Sequence, residues 1–368
     1  MDRKVRIAIA GTGFGAKYAL GLQANPDVTL VGVFSRRSER AAEMAERFGI
    51  PFYTRHFHEL LALPALDAVA VVTPNSTHAE YVRAALRAGK HVICDKPLAL
   101  TGAQAQSLCQ EAEARGLRHV TFVPYRFSPA SLAVKEAMNQ DTLGRIIGVR
   151  ASWGVDLRAE PLRWRFQREL SGPGVVSDLG SHVLDLVMWW TGRVRRALGR
   201  CRTLVSQRPA VAGGRLRPVD VPDECYALFE FTDAGVGSAA FSWNAKHDQH
   251  VEIEAERGTL IYHSPSLLQW LEGKGPFHPV VTFVSRSASR RTSELSLPGM
   301  EHFAAQEQAL SHMFADIIAY LRGGQKTPCI ATFRDGLAVL RVIDAVMASH
   351  EIGGWIDVET VPVAPASD

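Results

Sequence analysis

Three groups of residues in this 368-residue chain combine types and spacing that could do chemistry. Lys96 lies in Cys94-Asp95-Lys96-Pro97, directly after the short strand-like run His91-Val92-Ile93. An ammonium held at a strand end can donate to an oxygen on which charge develops during a reaction. Asp178 and His182 stand four apart in Gly172-Pro173-Gly174-Val175-Val176-Ser177-Asp178-Leu179-Gly180-Ser181-His182. On a helix that spacing puts both side chains on one face. There a carboxylate can orient or charge-tune an imidazole that exchanges protons near neutrality. Thr73-Pro74-Asn75 ends a further apolar run, Leu66 to Val72. Each group also has a plainer reading: a surface lysine, a first-turn aspartate facing the helix dipole, a core histidine. The framework around them has to decide.

That framework starts at the N-terminus. Val5 to Ala10 reads as a buried strand, and Gly11-Thr12-Gly13-Phe14-Gly15-Ala16 opens a helix. This is the G-x-G-x-x-G/A dinucleotide fingerprint in its strand–loop–helix context. Gly11 permits the tight turn, Gly13 leaves room for a pyrophosphate, and Ala16 is small enough for the helix to pack on the strand. The helix N-terminus offers N–H groups and partial positive charge to the phosphates. The expected dinucleotide contacts are Gly11, Thr12, Gly13, Phe14 and Gly15 at the loop, with Thr73, Pro74, Asn75, His78, Asp95 and Lys96 from later strand ends. The second strand, Val28 to Phe34, runs into Ser35-Arg36-Arg37 with no carboxylate at its tip to accept from the ribose hydroxyls. Ser35 can hydrogen-bond a 2′-phosphate, and Arg36 or Arg37 can pair with it. This favours NADP; arginines that merely solvate a loop, with NAD as the cofactor, are the alternative.

Further along, helical stretches at about 38–48, 77–88 and 101–115 alternate with strands at 66–72, 91–93 and 120–123. Thr101 and Gln104 form a capping box. Such alternation predicts a doubly wound parallel sheet, a Rossmann domain over residues 1–124. After Pro124 the pattern changes. Ser128-Pro129 starts a helix to about Asn139, and strand-like segments follow at 146–153, 198–205, 226–231, 236–243 and 251–255. Asp233-Ala234-Gly235 reads as a tight connection, and Ser285 to Ser296 as a loop. Helices are expected at about 177–190, 302–321 and 333–350. Residues 125–368 are thus expected to form an α+β domain with a large, mainly antiparallel open sheet, used for substrate binding and oligomerisation. One face of that sheet needs a cover besides helices, so a homo-oligomer, dimer or tetramer, is expected.

Bulk properties exclude other classes. A net charge of +3, with no basic block interleaved with aromatics, gives no footprint for nucleic acid. No apolar run approaches the roughly 20 residues of a membrane helix. Met1 to Lys4 run straight into a strand without the pattern of a signal peptide, and the five scattered cysteines suggest neither disulfides nor zinc. A cytoplasmic protein without metal is expected. The His56-Phe57-His58 cluster has no standard ligand spacing and reads as a solvated loop.

The glycine loop, Thr73-Pro74-Asn75, Asp95-Lys96-Pro97 and the Gly172 to His182 segment together resemble the glucose–fructose oxidoreductase, inositol dehydrogenase and rhizopine-catabolism (Gfo/Idh/MocA) family. Their order and spacing match as well as their letters, over nearly the whole chain. The resemblance implies hydride transfer between NADP or NAD and a sugar, polyol or related cyclic alcohol or ketone. It assigns Lys96 to the reacting oxygen, His182 to general acid/base work, and Asp178 to orienting substrate or assisting the proton. Tyr125 and Arg126, and Arg163, Trp164 and Arg165, fall in segments that line the sugar pocket in this family. Aromatic faces meet sugar C–H groups and arginines donate to oxygens. Trp153, Trp243 and Asn244 either join them or pack the sheet. Asp95 stands where the family more often has glutamate, and Ser35 replaces the acid of NAD-dependent members. Two rivals remain: a glycoside hydrolase working through transient oxidation with tightly held dinucleotide, and a non-catalytic dinucleotide sensor. Retention of Lys96, Asp178 and His182 argues against the sensor.

Overall fold

The computed structural model describes residues 3–360, apart from 212, 234, 274–275 and 287–290. The chain divides into two compact units, Met1–Pro124 with Met300–Leu337, and Tyr125–Gly299 with Ala338–Asp368.

In the first unit the elements run β1 (Val5–Ala10), α1 (Gly15–Gln23), β2 (Val28–Phe34), α2 (Ser38–Phe48), β3 (Tyr53–Thr54), α3 (Phe57–Leu61), β4 (Ala68–Val71), α4 (His78–Arg87), β5 (His91–Asp95), α5 (Gly102–Ala114) and β6 (His119–Phe122). The sheet order is β3-β2-β1-β4-β5-β6, with every pairing parallel. It reverses at β1, which places the switch point where β1 and β4 end. Local sequence explains the elements. Ala41, Met44, Ala45 and Phe48 give α2 one buried stripe at helical spacing, and Gly49, at φ 61°, ends it. Thr101 Oγ1 accepts from Gln104 N at 3.3 Å, while Gln104 Oε1 accepts from Leu100 N at 3.1 Å, one residue earlier than a strict capping box. His56 and His58 are exposed, but they flank and enter α3 instead of lying in a loop.

The helix at Gln306–Leu321 packs on α1 in this first unit, although the sequence reading assigned it to the second domain. The cause is aromatic. Phe314 stacks on Phe122 with centroids 5.1 Å apart and meets Tyr18 at 5.1 Å, and a Cβ on Gly21 would come within 2.7 Å of it.

In the second unit the elements begin with α6 (Pro129–Asn139), β7 (Ile146–Asp156), α7 (Arg168–Ser171) and α8 (Val175–Thr191). Strands β8 (Val194–Arg202), β9 (Gln207–Pro209), β10 (Leu216–Pro218), β11 (Glu224–Phe231), β12 (Val236–Ser242), β13 (Asn244–Ala255) and β14 (Gly258–Ser264) follow. Then come α9 (Leu267–Leu271), β15 (Val280–Ser285) and β16 (Thr292–Glu294). After α10, the Gln306–Leu321 helix, the chain ends with α11 (Phe333–Ile352) and β17 (Ile356–Asp357). Among the described residues the large sheet has the order β16-β15-β14-β13-β7-β12-β11-β8-β17, and β7–β12 is its parallel pair. Period-2 alternation sets its faces. Val149, Ala151, Trp153 and Val155 of β7 are buried, with Phe241 of β12 close against Gly180 of α8. Tyr226, Leu228 and Val236 are exposed on the other side.

Strand β13 starts at Asn244, earlier than the apolar run from Val251 indicated, because its first half is polar and interrupted by a register shift between Asn244 and Asp248. The expected loop at 285–296 contains β16, and its residues 287–290 lie outside the described residues. So does Ala234 of the expected tight connection, whose ends are joined by Phe231 N donating to Gly235 O at 3.0 Å. Among the described residues no helix is long and apolar enough to cross a membrane, and no group of three His, Cys, Asp or Glu side chains could hold a metal ion.

Candidate active site

The first unit carries the candidate dinucleotide cradle. Gly11, at φ 111°, donates to Phe34 O at 2.9 Å, and a Cβ there would collide with the Val72 carbonyl. Only glycine can make this turn beside β4. Gly13 is exposed, and nothing lies within 4 Å of where its Cβ would be. The protein itself does not demand a glycine at that point, whereas a closely approaching pyrophosphate would. The loop therefore fits a dinucleotide. Close packing of helix on strand falls to Gly15, whose Cβ would meet Ile9 Cγ2 at 3.3 Å. This corrects the role expected for Ala16, which is half-buried, because α1 already begins at Gly15. Thr12 and Phe14 flank Gly13 in the same loop.

At the tip of β2, Arg37 N donates to Ser35 Oγ at 3.3 Å and Ser35 N donates to Thr54 O at 3.2 Å. Arg36 and Arg37 are exposed. At the ends of β4 and β5, Thr73-Pro74-Asn75 and Asp95-Lys96-Pro97 are tied together by His78. Its Nδ1 lies 2.8 Å from Pro97 O and its Nε2 2.8 Å from Thr73 O. Asp95 Oδ1 accepts from Lys96 N at 2.9 Å. The half-buried Lys96 rises from this turn. Burial lowers the His78 pKa against the pull of the two carbonyls, and the nearby Lys96 charge lowers it further. His78, expected among the cofactor contacts, is instead buried with both ring nitrogens turned to backbone carbonyls. Its position fixes the two loops.

The second unit carries Asp178 and His182 on α8. The helix starts at Gly174, where a Cβ would lie 2.5 Å from Pro222 O, so the glycine-rich sequence before it permits the close passage of residues 221–222. His182 is buried in an aromatic nest, with ring centroids 5.0 Å from Tyr125 and 5.2 Å from Trp153. Tyr125 and Trp153 meet edge-to-face at 5.0 Å. Asp178 Oδ2 accepts from Trp243 Nε1 at 3.2 Å and lies 3.9 Å from Arg165 Nε. Trp243 in turn meets Phe166 edge-to-face at 5.2 Å, and Arg208 lies over Phe166 at 3.9 Å. Both tryptophans therefore pack the sheet and also touch the two polar residues of the helix. The Asn244 amide is buried and has no hydrogen-bond partner among the described residues.

Of the expected substrate arginines, Arg165 lies beside Asp178 and 5.6 Å from the Trp164 ring centroid. Exposed Arg163 pairs with Glu160 at 2.7 Å. Arg126 departs from expectation. Its Nε and Nη2 each donate to the Asp185 carboxylate at 2.7 Å, with both residues buried. Its fork braces α8 and is turned away from a substrate role. Asp185, one turn after His182, lies in no motif; its signal is a charged residue within the apolar run Val183 to Trp190.

Residues 5–122 match the oxidoreductase family with an NAD-binding Rossmann fold, and residues 131–261 match the GFO/IDH/MocA C-terminal domain. The chain belongs to the Gfo/Idh/MocA oxidoreductase family. It is 29% identical over 356 residues, 88% of each chain, to a levoglucosan dehydrogenase of Pseudarthrobacter phenanthrenivorans. It is 28% identical over 261 residues, 70% of this chain and 75% of the other, to a myo-inositol 2-dehydrogenase of Thermotoga maritima. A levoglucosan dehydrogenase solved with NADH and levoglucosan superposes with a TM-score of 0.84 at 26% identity, covering 98% of this chain and all (100%) of that one. Like other Gfo/Idh/MocA members, this chain is an NAD-binding oxidoreductase with a six-stranded parallel sheet and a second, mostly antiparallel sheet.

Proposed function

We propose that this oxidoreductase interconverts a secondary alcohol and a ketone, or a cyclic hemiacetal and a lactone, on a sugar, polyol or related ring. Gly11 to Gly15 would hold the pyrophosphate, and the Thr73-Pro74-Asn75 and Asp95-Lys96-Pro97 turns would frame the reactive end. When bound, the nicotinamide supplies the two-electron acceptor or donor. His182 takes the proton of the reacting hydroxyl at a ring nitrogen, or returns it in the reverse direction. Lys96 would donate to a reacting oxygen as negative charge develops on it. Asp178, fixed by the Trp243 indole, orients substrate or steadies charge on His182. The observation that carries this reading is the buried placement of His182 against Tyr125 and Trp153, one turn after an anchored carboxylate.

The preferred cofactor is NADP, bound through Ser35, Arg36 and Arg37, with NAD as the alternative. The exposed Tyr226, Leu228 and Val236 on the open sheet face support a homo-oligomer, dimer or tetramer. Five buried cysteines, none of them in a disulfide among the described residues, support the reducing cytoplasm.

The test is turnover of levoglucosan, myo-inositol and a panel of aldoses with NADP and NAD, repeated with Lys96→Ala and His182→Asn. Both variants should still bind dinucleotide and lose at least about a hundredfold in kcat, the range general acid–base groups supply. Near-normal turnover by either variant would remove that residue from the reaction.

A further inference from the structure

Gln249 on β13 is 1% exposed, yet neither its amide oxygen nor its nitrogen has a hydrogen-bond partner among the described residues. Its place in the sheet is defined by register. It stands directly opposite Trp153 of β7 on one side and Ser264 of β14 on the other. Directly opposed residues share a sheet face, with Cβ atoms roughly 5 Å apart. Gln249 therefore points to the same buried face as Trp153, whose ring is 5.2 Å from His182. The residues that follow it on its own strand and face are apolar: Val251 and Ile253 are fully buried. Ser264 offers little relief, since its hydroxyl donates to Pro265 O at 2.9 Å. The register shift between Asn244 and Asp248 lies immediately before Gln249. Such irregularities commonly re-aim a side chain beside an active site.

A buried amide with four unmet hydrogen-bonding positions is costly, and native proteins seldom keep such a group without a functional partner such as a ligand, an ion or water. A leucine or methionine would fill the same volume without that cost. We propose that Gln249 is a specificity-determining residue that hydrogen-bonds a substrate oxygen other than the reacting one. The ligand class is a polyhydroxylated ring, and the selectivity is against its deoxy analogues. The amide suits such a group because it can donate to and accept from a hydroxyl at the same time. The rejection follows from the same physics: an analogue lacking that hydroxyl leaves the amide bare inside a closed site. This inference rests on the reading of His182 as the residue at the reacting hydroxyl.

Gln249→Met tests it through two independent readouts on the full-length protein. The first is the melting temperature without any ligand. Replacing an unpartnered amide with an apolar chain of similar size should raise it, by about 2–4 °C for a chain of this size. A fall would mean that Gln249 satisfies a structural partner, and would overturn the proposal. The second is kcat/KM for levoglucosan, D-glucose and myo-inositol set against their mono-deoxy analogues. Wild type should discriminate against one deoxy position by a hundredfold or more, and the variant should treat that pair alike to within threefold, with dinucleotide affinity unchanged. Discrimination retained in the variant would overturn the proposal even if the melting temperature rises. Failure of wild type to turn over any of these probes, with either dinucleotide bound, would instead overturn the functional reading and this ligand class with it. The melting temperature would still report whether the amide is partnered.

Discussion

Arg126 and Asp185 form a buried, bidentate ion pair, two N–H···O bonds of 2.7 Å between the turn after β6 and the middle of α8. Both charges are buried, so removing one partner leaves the other poorly compensated. Asp185→Leu or Arg126→Met alone should cost about 3–5 kcal/mol of unfolding free energy. The double variant Arg126→Met, Asp185→Leu should recover most of it, because an apolar pair of similar volume carries no desolvation penalty. Urea unfolding of the four proteins measures the cycle. Losses that simply add would show that the two side chains do not depend on each other.

The His78 brace makes a different prediction. The ring touches Thr73 O and Pro97 O but is itself buried, so its effect on cofactor must pass through the two turns. Burial keeps it neutral at pH 7, and a neutral imidazole carries one N–H for two carbonyls. His78→Phe keeps a flat ring, slightly larger than imidazole, and loses that donor. It should weaken dinucleotide binding by about tenfold, equivalent to one hydrogen bond of roughly 1.4 kcal/mol. Fluorescence titration with NADPH and NADH reads this directly. An unchanged affinity would mean that the turns hold themselves.

How much of this was legible in the sequence depended on how local the signal was. The glycine loop, the helix cap at Thr101 and the Asp178–His182 spacing are set by residues within one or two turns of each other, and each was readable. The brace from His78 to Pro97 spans 19 residues and the fork from Arg126 to Asp185 spans 59. Both read from sequence as ligand contacts, since a histidine or arginine near a motif looks the same whether it faces ligand or protein. The polar first half of β13 hides Gln249, because a strand's alternation shows in a sequence only where one face is apolar. The docking of α10 on α1 needed Phe314 to find Phe122 and Tyr18, and no local pattern encodes that.

Stability should fall with acid in a window set by His119. The ring is buried beside Phe333 and accepts from Phe333 N at 3.0 Å, and burial drives its pKa down to about 4. The unfolded chain binds the proton near 6.5, so between these values the unfolded state holds more protons than the fold. Stability is therefore full above about pH 6.5 and declines as pH falls toward 4, by at most on the order of 3 kcal/mol from this group. His119→Gln keeps an acceptor for Phe333 N without titrating. The difference in unfolding free energy between wild type and variant should change across pH 6.5 to 4 and be flat from 7 to 8. A constant difference throughout would mean that His119 is accessible to protons in the fold.

In the proposed NADP reading, cofactor choice turns on Ser35. Its hydroxyl already accepts from Arg37 N, a turn that holds the Arg36 and Arg37 backbone at the tip of β2. Both guanidinium groups are exposed and form no ion pair among the described residues, so they are available to a dianionic phosphate. Ser35→Asp puts a carboxylate where a 2′-phosphate would sit and supplies the acceptor that unphosphorylated ribose prefers. Like-charge repulsion and loss of a charge-assisted bond should together weaken NADP by about a hundredfold or more, roughly 2.7 kcal/mol. NAD should change by less than about fivefold, or tighten. Arg36→Ala should weaken NADP alone. Titration of each variant with NADPH and NADH separates the cases. Equal weakening of both cofactors by Ser35→Asp would mean that the β2 tip supports the adenosine ribose but does not read its phosphate.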